Sequence, residues 1–184
     1  MEFVNHDNVA TYTGMSRVFF EHPDDGALWT IELVKLIGKW YVSIVVVRAG
    51  TKACRFCMTL AHWRHLIDAS GDLTKRLSAT IDAGSEEHPK VKVLDRYQLW
   101  AAEQYQIMMD FIIDGTMAFL DLTVYTRNSQ SDEFKRTLHS IRLDGGSWMM
   151  LLQQADEVEK CVKFLEGFGD KLDGMSFLKF CIYT

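Results

Sequence analysis

The chain is poor in the residues that mark several classes of protein. Of its 184 residues, 2 are proline and 12 glycine, too few for a linker-rich or low-complexity architecture. Its 4 cysteines cannot staple a disulfide scaffold. With no apolar leader between Met1 and Ala10, they read as reduced thiols of an intracellular protein. The longest uncharged apolar run is Trp40 to Val47, under half of the roughly 20 residues that a membrane helix needs, so no membrane partner is expected. There is no Gly-x-Ser-x-Gly elbow, no phosphate-cradling glycine loop and no His-Glu-x-x-His. The expectation is therefore a protein that is not an enzyme and needs no cofactor. Cys54, Cys57, His62 and His65 stand too close together for a zinc finger, and in a strand Cys54 and Cys57 point to opposite faces. No metal site is expected.

What is present is ordinary globular material, 48% hydrophobic and 24% charged, enough for one domain or two small units sharing a core. The net charge of -5 conceals an uneven distribution. Between Leu33 and Ile67 stand Lys35, Lys39, Arg48, Lys52, Arg55 and Arg64, without one Asp or Glu. A basic island on an acidic chain is what a polyanion site looks like.

The hydrophobic pattern switches period twice. Residues 28–37 and 40–48 read as strands joined at Gly38-Lys39, and 53–58 as a third. Thr59 is a helix N-cap, and Trp63, Leu66, Leu73 and Leu77 then fall at helical spacing over 60–81. Ala83 to Pro89 reads as a linker. The order then recurs, with strands at 105–113, 118–126 and 134–143, a cap at Asp144 and a helix over 146–165. An 85-residue offset relates Thr59 to Asp144, Trp63 to Trp148, Leu66 to Leu151, Leu73 to Val158 and Leu77 to Val162. Such an offset marks an internal repeat. Extra material before Leu33 and around Val91 to Ala101 predicts one more strand per repeat, and Ser176 to Tyr183 a terminal strand. The expected fold is α+β: two tandem curved antiparallel sheets, each followed by a long helix (ββββα). A unit of this size is marginal alone, so residues 1–84 and 85–184 are expected to form one pseudo-dimeric domain, paired helix to helix.

The segment Ser140-Ile141-Arg142-Leu143-Asp144-Gly145-Gly146-Ser147-Trp148, followed by Leu151, Val158, Val162 and Leu165, resembles the C-terminal domain of transcriptional positive cofactor four. Phe119 to Tyr125 is similar to a strand of that family. In the first half the resemblance runs through Gly38-Lys39, Trp40 to Val47, and Phe56-Cys57-Met58-Thr59 before Trp63. It covers roughly residues 28–81 and 105–165. The plan of two units in one chain is also similar to plant Whirly proteins and purine-rich-element-binding proteins, although a Whirly Lys-Gly-Lys-Ala motif is absent. The resemblance implies single-stranded DNA binding across β-ridges, with roles in transcription, replication or repair. It further implies a nuclear location in a eukaryote or nuclear virus, and a homo-oligomer or transcription and replication proteins as partners. The family's strand arginine falls on Val45 and Thr123.

Single-stranded nucleic acid needs cations for phosphates and aromatic faces for bases. The first ridge offers Lys35, Lys39, Arg48, Lys52 and Arg55, with Trp40, Tyr41 and Phe56 interleaved. The second offers Tyr125, Arg127, Lys135, Arg136 and Arg142, with Phe119 and Phe134. Asp132 and Glu133 in the second ridge loop direct the expectation of binding to the first ridge. Asp110 and Asp114 read as a solvated strand end. The competing reading is a structural or protein-interaction module that keeps the fold and has lost nucleic-acid binding.

Overall fold

A computed structural model describes residues 14–21, 26–36, 39–50, 53–84, 88–128 and 132–167. The alternating stretches form two antiparallel four-stranded sheets, each in sequential strand order. The first contains β1 (Gly14–Glu21), β2 (Leu28–Leu36), β3 (Lys39–Val47) and β4 (Cys54–Thr59). The second contains β5 (His88–Ala101), β6 (Tyr105–Gly115), β7 (Met117–Arg127) and β8 (Phe134–Asp144). The first strand of each repeat, β1 or β5, fills the extra material seen in the sequence. Gly115 turns the β6–β7 hairpin at φ 66, a backbone region in which a Cβ is strained. Gly38, Ser85 to Glu87 and the terminal strand proposed for Ser176 to Tyr183 lie outside the described residues.

Both helices start at their caps. The Thr59 hydroxyl accepts the His62 N–H at 3.2 Å, and Asp144 Oδ1 accepts the Ser147 N–H at 2.7 Å. Each expected long helix is instead two segments: α1 (Leu60–Asp68) and α2 (Ser70–Ala83), then α3 (Gly145–Gln153) and α4 (Ala155–Gly167). The breaks at Ala69 and Gln154 obey the 85-residue offset. At both, ψ is -5, well short of the helical value, so the axis turns there. Periodicity alone missed the bend because the apolar spacing continues through it.

The bend matters for packing. α1 lies against β3 and β4 of its own sheet and also touches β5. Beyond the bend, α2 lies on β6 and β7 of the other sheet. In the same way α3 rests on β7 and β8 and reaches β1. One buried cluster thus runs through both repeats, from Trp29, Ile44 and Phe56 through Trp63, Leu73 and Leu77 to Phe111, Leu122, Trp148 and Val162. Trp63 and Trp148 are fully buried; truncating such a side chain to Ala typically costs about 3–5 kcal/mol. Helices also meet across the repeats: the Trp148 indole N–H donates to the Thr74 hydroxyl at 2.9 Å, and Arg64 forms a bidentate pair with Glu159 at 3.0 Å.

The last strands of the two sheets, β4 and β8, lie side by side. Their seam is built from side chains. His139 stacks on Phe56 with centroids 4.8 Å apart, and its Nε2 lies 3.3 Å from the Cys57 N–H. Cys54 Sγ donates to the Ser140 carbonyl at 3.4 Å. Cys54 and Cys57 point to opposite faces of β4, and burial pushes both thiols up from their ordinary pKa.

Candidate nucleic-acid interface

Alternation divides each sheet into a core face and an outer face. In the first sheet Val42, Ile44 and Val46 of β3 join the core. The opposite parity carries Lys39, Tyr41, Ser43, Val45 and Val47. Cross-strand pairing places Glu32 beside Ser43 and Arg55 beside Val45 on that outer face. Arg55 Nη1 pairs with Glu32 Oε2 and donates to Ser43 Oγ at 3.2 Å.

The expected first-ridge residues do not all converge. Lys39, Tyr41 and Arg55 share the outer face. Lys35 pairs with Trp40 in the β2–β3 register; its side chain lies outside the described residues, as does Lys52. Arg48 is exposed just beyond β3. Phe56 is fully buried and Trp40 packs against the core, so of the three aromatics named for this ridge only Tyr41 faces outward.

The second sheet is better assembled. In β7, Leu120, Leu122 and Val124 face the core, which turns Phe119, Asp121, Thr123, Tyr125 and Arg127 outward. Register adds Arg136 opposite Tyr125, Arg142 opposite Asp121, and Phe134 opposite Arg127. Tyr125, Arg127, Arg136 and Arg142 therefore share one face. Lys135, exposed and opposite Thr126, has the other parity. Guanidinium groups lie over two rings, Arg142 over Phe119 at 5.1 Å and Arg127 over Phe134 at 5.9 Å. Such stacking orients a planar cation.

At the centre of this face a single rung crosses all four strands: Arg96, Asp110, Asp121 and Arg142. Arg96 Nε donates to Asp110 at 2.6 Å. Asp121 takes Arg142 Nε at 2.8 Å and both Arg142 Nη2 and Arg136 Nη2 at 3.2 Å. Arg142 also reaches Asp114 at 3.1 Å, and the Tyr125 hydroxyl donates to Asp110 at 3.4 Å. Hydrogen bonds to Asp110 and Asp121 are the leading causes that push Arg96 and Arg142 up from the ordinary guanidinium pKa. Burial, then the Asp110 charge, pushes Tyr125 up, so its hydroxyl stays a donor at neutral pH.

Two expectations change here. Asp110 does not sit at a solvated strand end; it is buried opposite a second buried acid, Asp121, because register places the two on adjacent strands. Arg127 is paired with Asp132 of the ridge loop at 2.7 Å, which accounts for one of the loop acids. Arg96, Asp110, Asp121 and Glu32 are the parts that sequence reasoning missed. The available signal was an acid in the middle of an otherwise apolar strand, which demands a cationic partner once it is covered.

What solvent meets on this face follows from exposure. The Asp110 and Asp121 side chains are 4% and 7% exposed, against 52%, 50% and 39% for Arg96, Arg136 and Arg142. The carboxylates lie beneath and the guanidinium rims lie on top. A guanidinium has five N–H donors, and the acids occupy only part of that set.

No family model matches the chain, and no curated protein matches it. Among solved structures the chain is similar to WHY1 from Arabidopsis thaliana, at 10% sequence identity over 92% of this chain and 98% of that one, with a TM-score of 0.28. A likeness that distant adds nothing to the reading of the site.

Proposed function

We propose that the protein binds single-stranded nucleic acid, without enzymatic chemistry, across the outer face of the second sheet. The observation that carries this reading is the layering of charge: buried carboxylates under half-exposed arginines, bordered by Tyr125, Phe119 and Phe134. A phosphodiester chain laid on that face would meet N–H donors at Arg96, Arg136 and Arg142. Bases turned toward the rings would find stacking partners, a sequence-tolerant mode. Arg55 and Lys39 with Tyr41 supply a lesser version on the first sheet. The role belongs with intracellular handling of exposed strands in transcription, replication or repair. A second reading is favoured by the pairing of these arginines with acids inside the protein: the face is a protein-interaction surface that needs no polyanion.

Fluorescence anisotropy with a labelled single-stranded oligonucleotide at two salt concentrations separates the two readings. Binding is expected to weaken as salt rises, because phosphate contacts release counterions. Arg136→Glu is expected to lower affinity and flatten that dependence. A wild-type protein that leaves anisotropy unchanged at low salt would replace the nucleic-acid reading with the interaction module.

A further inference from the structure

We infer that Asp110 and Asp121 are positioning residues for the arginine face: they hold Arg96, Arg136 and Arg142 where a phosphodiester chain meets them, so neutralising either acid weakens binding. This deepens the nucleic-acid reading and rests on it. The charge balance alone points the other way. An acid beneath a cationic surface lowers its potential, and on Coulomb grounds its removal should tighten a polyanion.

Geometry favours positioning. Asp121 receives Arg142 through Nε and Nη2 and receives Arg136 through Nη2. One carboxylate therefore fixes two long side chains, each of which would otherwise lose rotamer freedom on meeting phosphate. Asp110 fixes Arg96. Both acids are almost wholly covered, so they present little charge for a ligand to avoid.

The same device occurs in the other repeat. Ile44 pairs with Phe56, and Leu122 with Ile141, an equivalent pair under the 85-residue offset of β4 and β8. Counting from these, Glu32 of β2 occupies the place of Asp110 in β6, and Ser43 that of Asp121. Glu32 again lies deeper than its arginine, 15% against 29% exposed. The arginine comes from a different strand, β4 rather than β5, yet the acid stands on the same rung. The acid-beneath-arginine arrangement is thus built twice, from different arginines.

The test compares wild type with Asp121→Asn, Asp110→Asn and Glu133→Gln in oligonucleotide anisotropy over a salt series. Glu133 is an exposed acid of the ridge loop just before β8 and, among the described residues, pairs with none of the three arginines, so its variant reports the effect of charge. Asp121→Asn and Asp110→Asn are expected to bind about tenfold more weakly, with a shallower salt dependence, because fewer ordered arginines reach phosphate. Glu133→Gln is expected to bind as wild type or slightly tighter. If Asp121→Asn and Asp110→Asn bind tighter with a steeper salt slope, or bind unchanged, positioning is refuted while nucleic-acid binding stands. Wild type that fails to bind refutes the underlying reading instead. Should either β6–β7 variant melt below the assay temperature, Glu32→Gln makes the same comparison through Arg55, and there too a loss of affinity is expected and a gain is contrary.

Discussion

Trp63 and Trp148 hold equivalent places in the two repeats, but their indole N–H groups fare differently. Trp148 donates to Thr74. The residue equivalent to Thr74 is Glu159, which is engaged with Arg64. Among the described residues, Trp63 Nε1 is left buried without a hydrogen-bond partner. An unsatisfied buried donor costs about 1–3 kcal/mol, so the duplicated core is satisfied on one side only. Thr74→Val keeps the side-chain shape and removes the acceptor. It is expected to lower stability to urea by about 1–3 kcal/mol, whereas Glu159→Ala, breaking an exposed pair, should stay within about 1 kcal/mol. A Thr74→Val midpoint equal to wild type would mean that the Trp148 indole finds another acceptor. At this scale the sequence announced both tryptophans and both caps, because spacing and side-chain type decide those. It was silent on the rung joining Arg96, Asp110, Asp121 and Arg142. Alternation within one strand says which face a residue takes, but not which residue of the next strand stands beside it.

Among the elements, β2 to β4 and β6 to β8 were legible because each carries its own apolar run, and their observed ends differ from the expected ones by only a few residues; β1 and β5 were expected only as extra material, and β5 starts at His88, inside the stretch read as linker. The helical bends at Ala69 and Gln154 were not, since both segments keep one apolar spacing. The β4–β8 seam was also hidden, being a tertiary contact between strands far apart in sequence. That seam makes stability depend on pH. Burial holds His139 below its ordinary pKa, opposed in part by the Cys57 carbonyl. Burial, then the neighbouring His65, does the same for His62, whose Nε2 lies 3.2 Å from the Tyr105 hydroxyl. A histidine whose folded pKa is depressed binds more protons when unfolded. Its contribution is complete above the unfolded value near about 6.5 and is lost as pH falls below it. Protonated His139 can no longer accept the Cys57 N–H, which ties the loss to the seam. The urea midpoint is expected to drop between pH 7.5 and 5.5, and His139→Gln to make that drop shallower. An equal drop in the variant would move the cause away from the seam.

For the whole molecule the decisive feature is the passage of α2 from its own repeat onto the other sheet. Two self-sufficient halves would each cover their sheet with their own helix, and damage in one would stay there. In this fold α2, a first-repeat helix, lies on β6 and β7 of the second sheet, with Leu73, Leu77 and Thr80 buried. The sequence repeat implied that two marginal units gain by pairing, but it could not show that the bend at Ala69 carries the helix across. Leu77→Ala removes apolar volume at that crossing and should cost about 2–5 kcal/mol, as large-to-small changes in a packed core do. Its distribution is the informative part. Amide hydrogen exchange is expected to quicken in β6 and β7, in the repeat that does not contain residue 77, at least as much as in β2 to β4. Heat unfolding should remain a single transition shifted to lower temperature, because one buried cluster spans both repeats. Faster exchange confined to β2 to β4, or an unfolding curve that splits into two steps, would show that the halves are independent and that the covering of the second sheet by α2 contributes little to its stability.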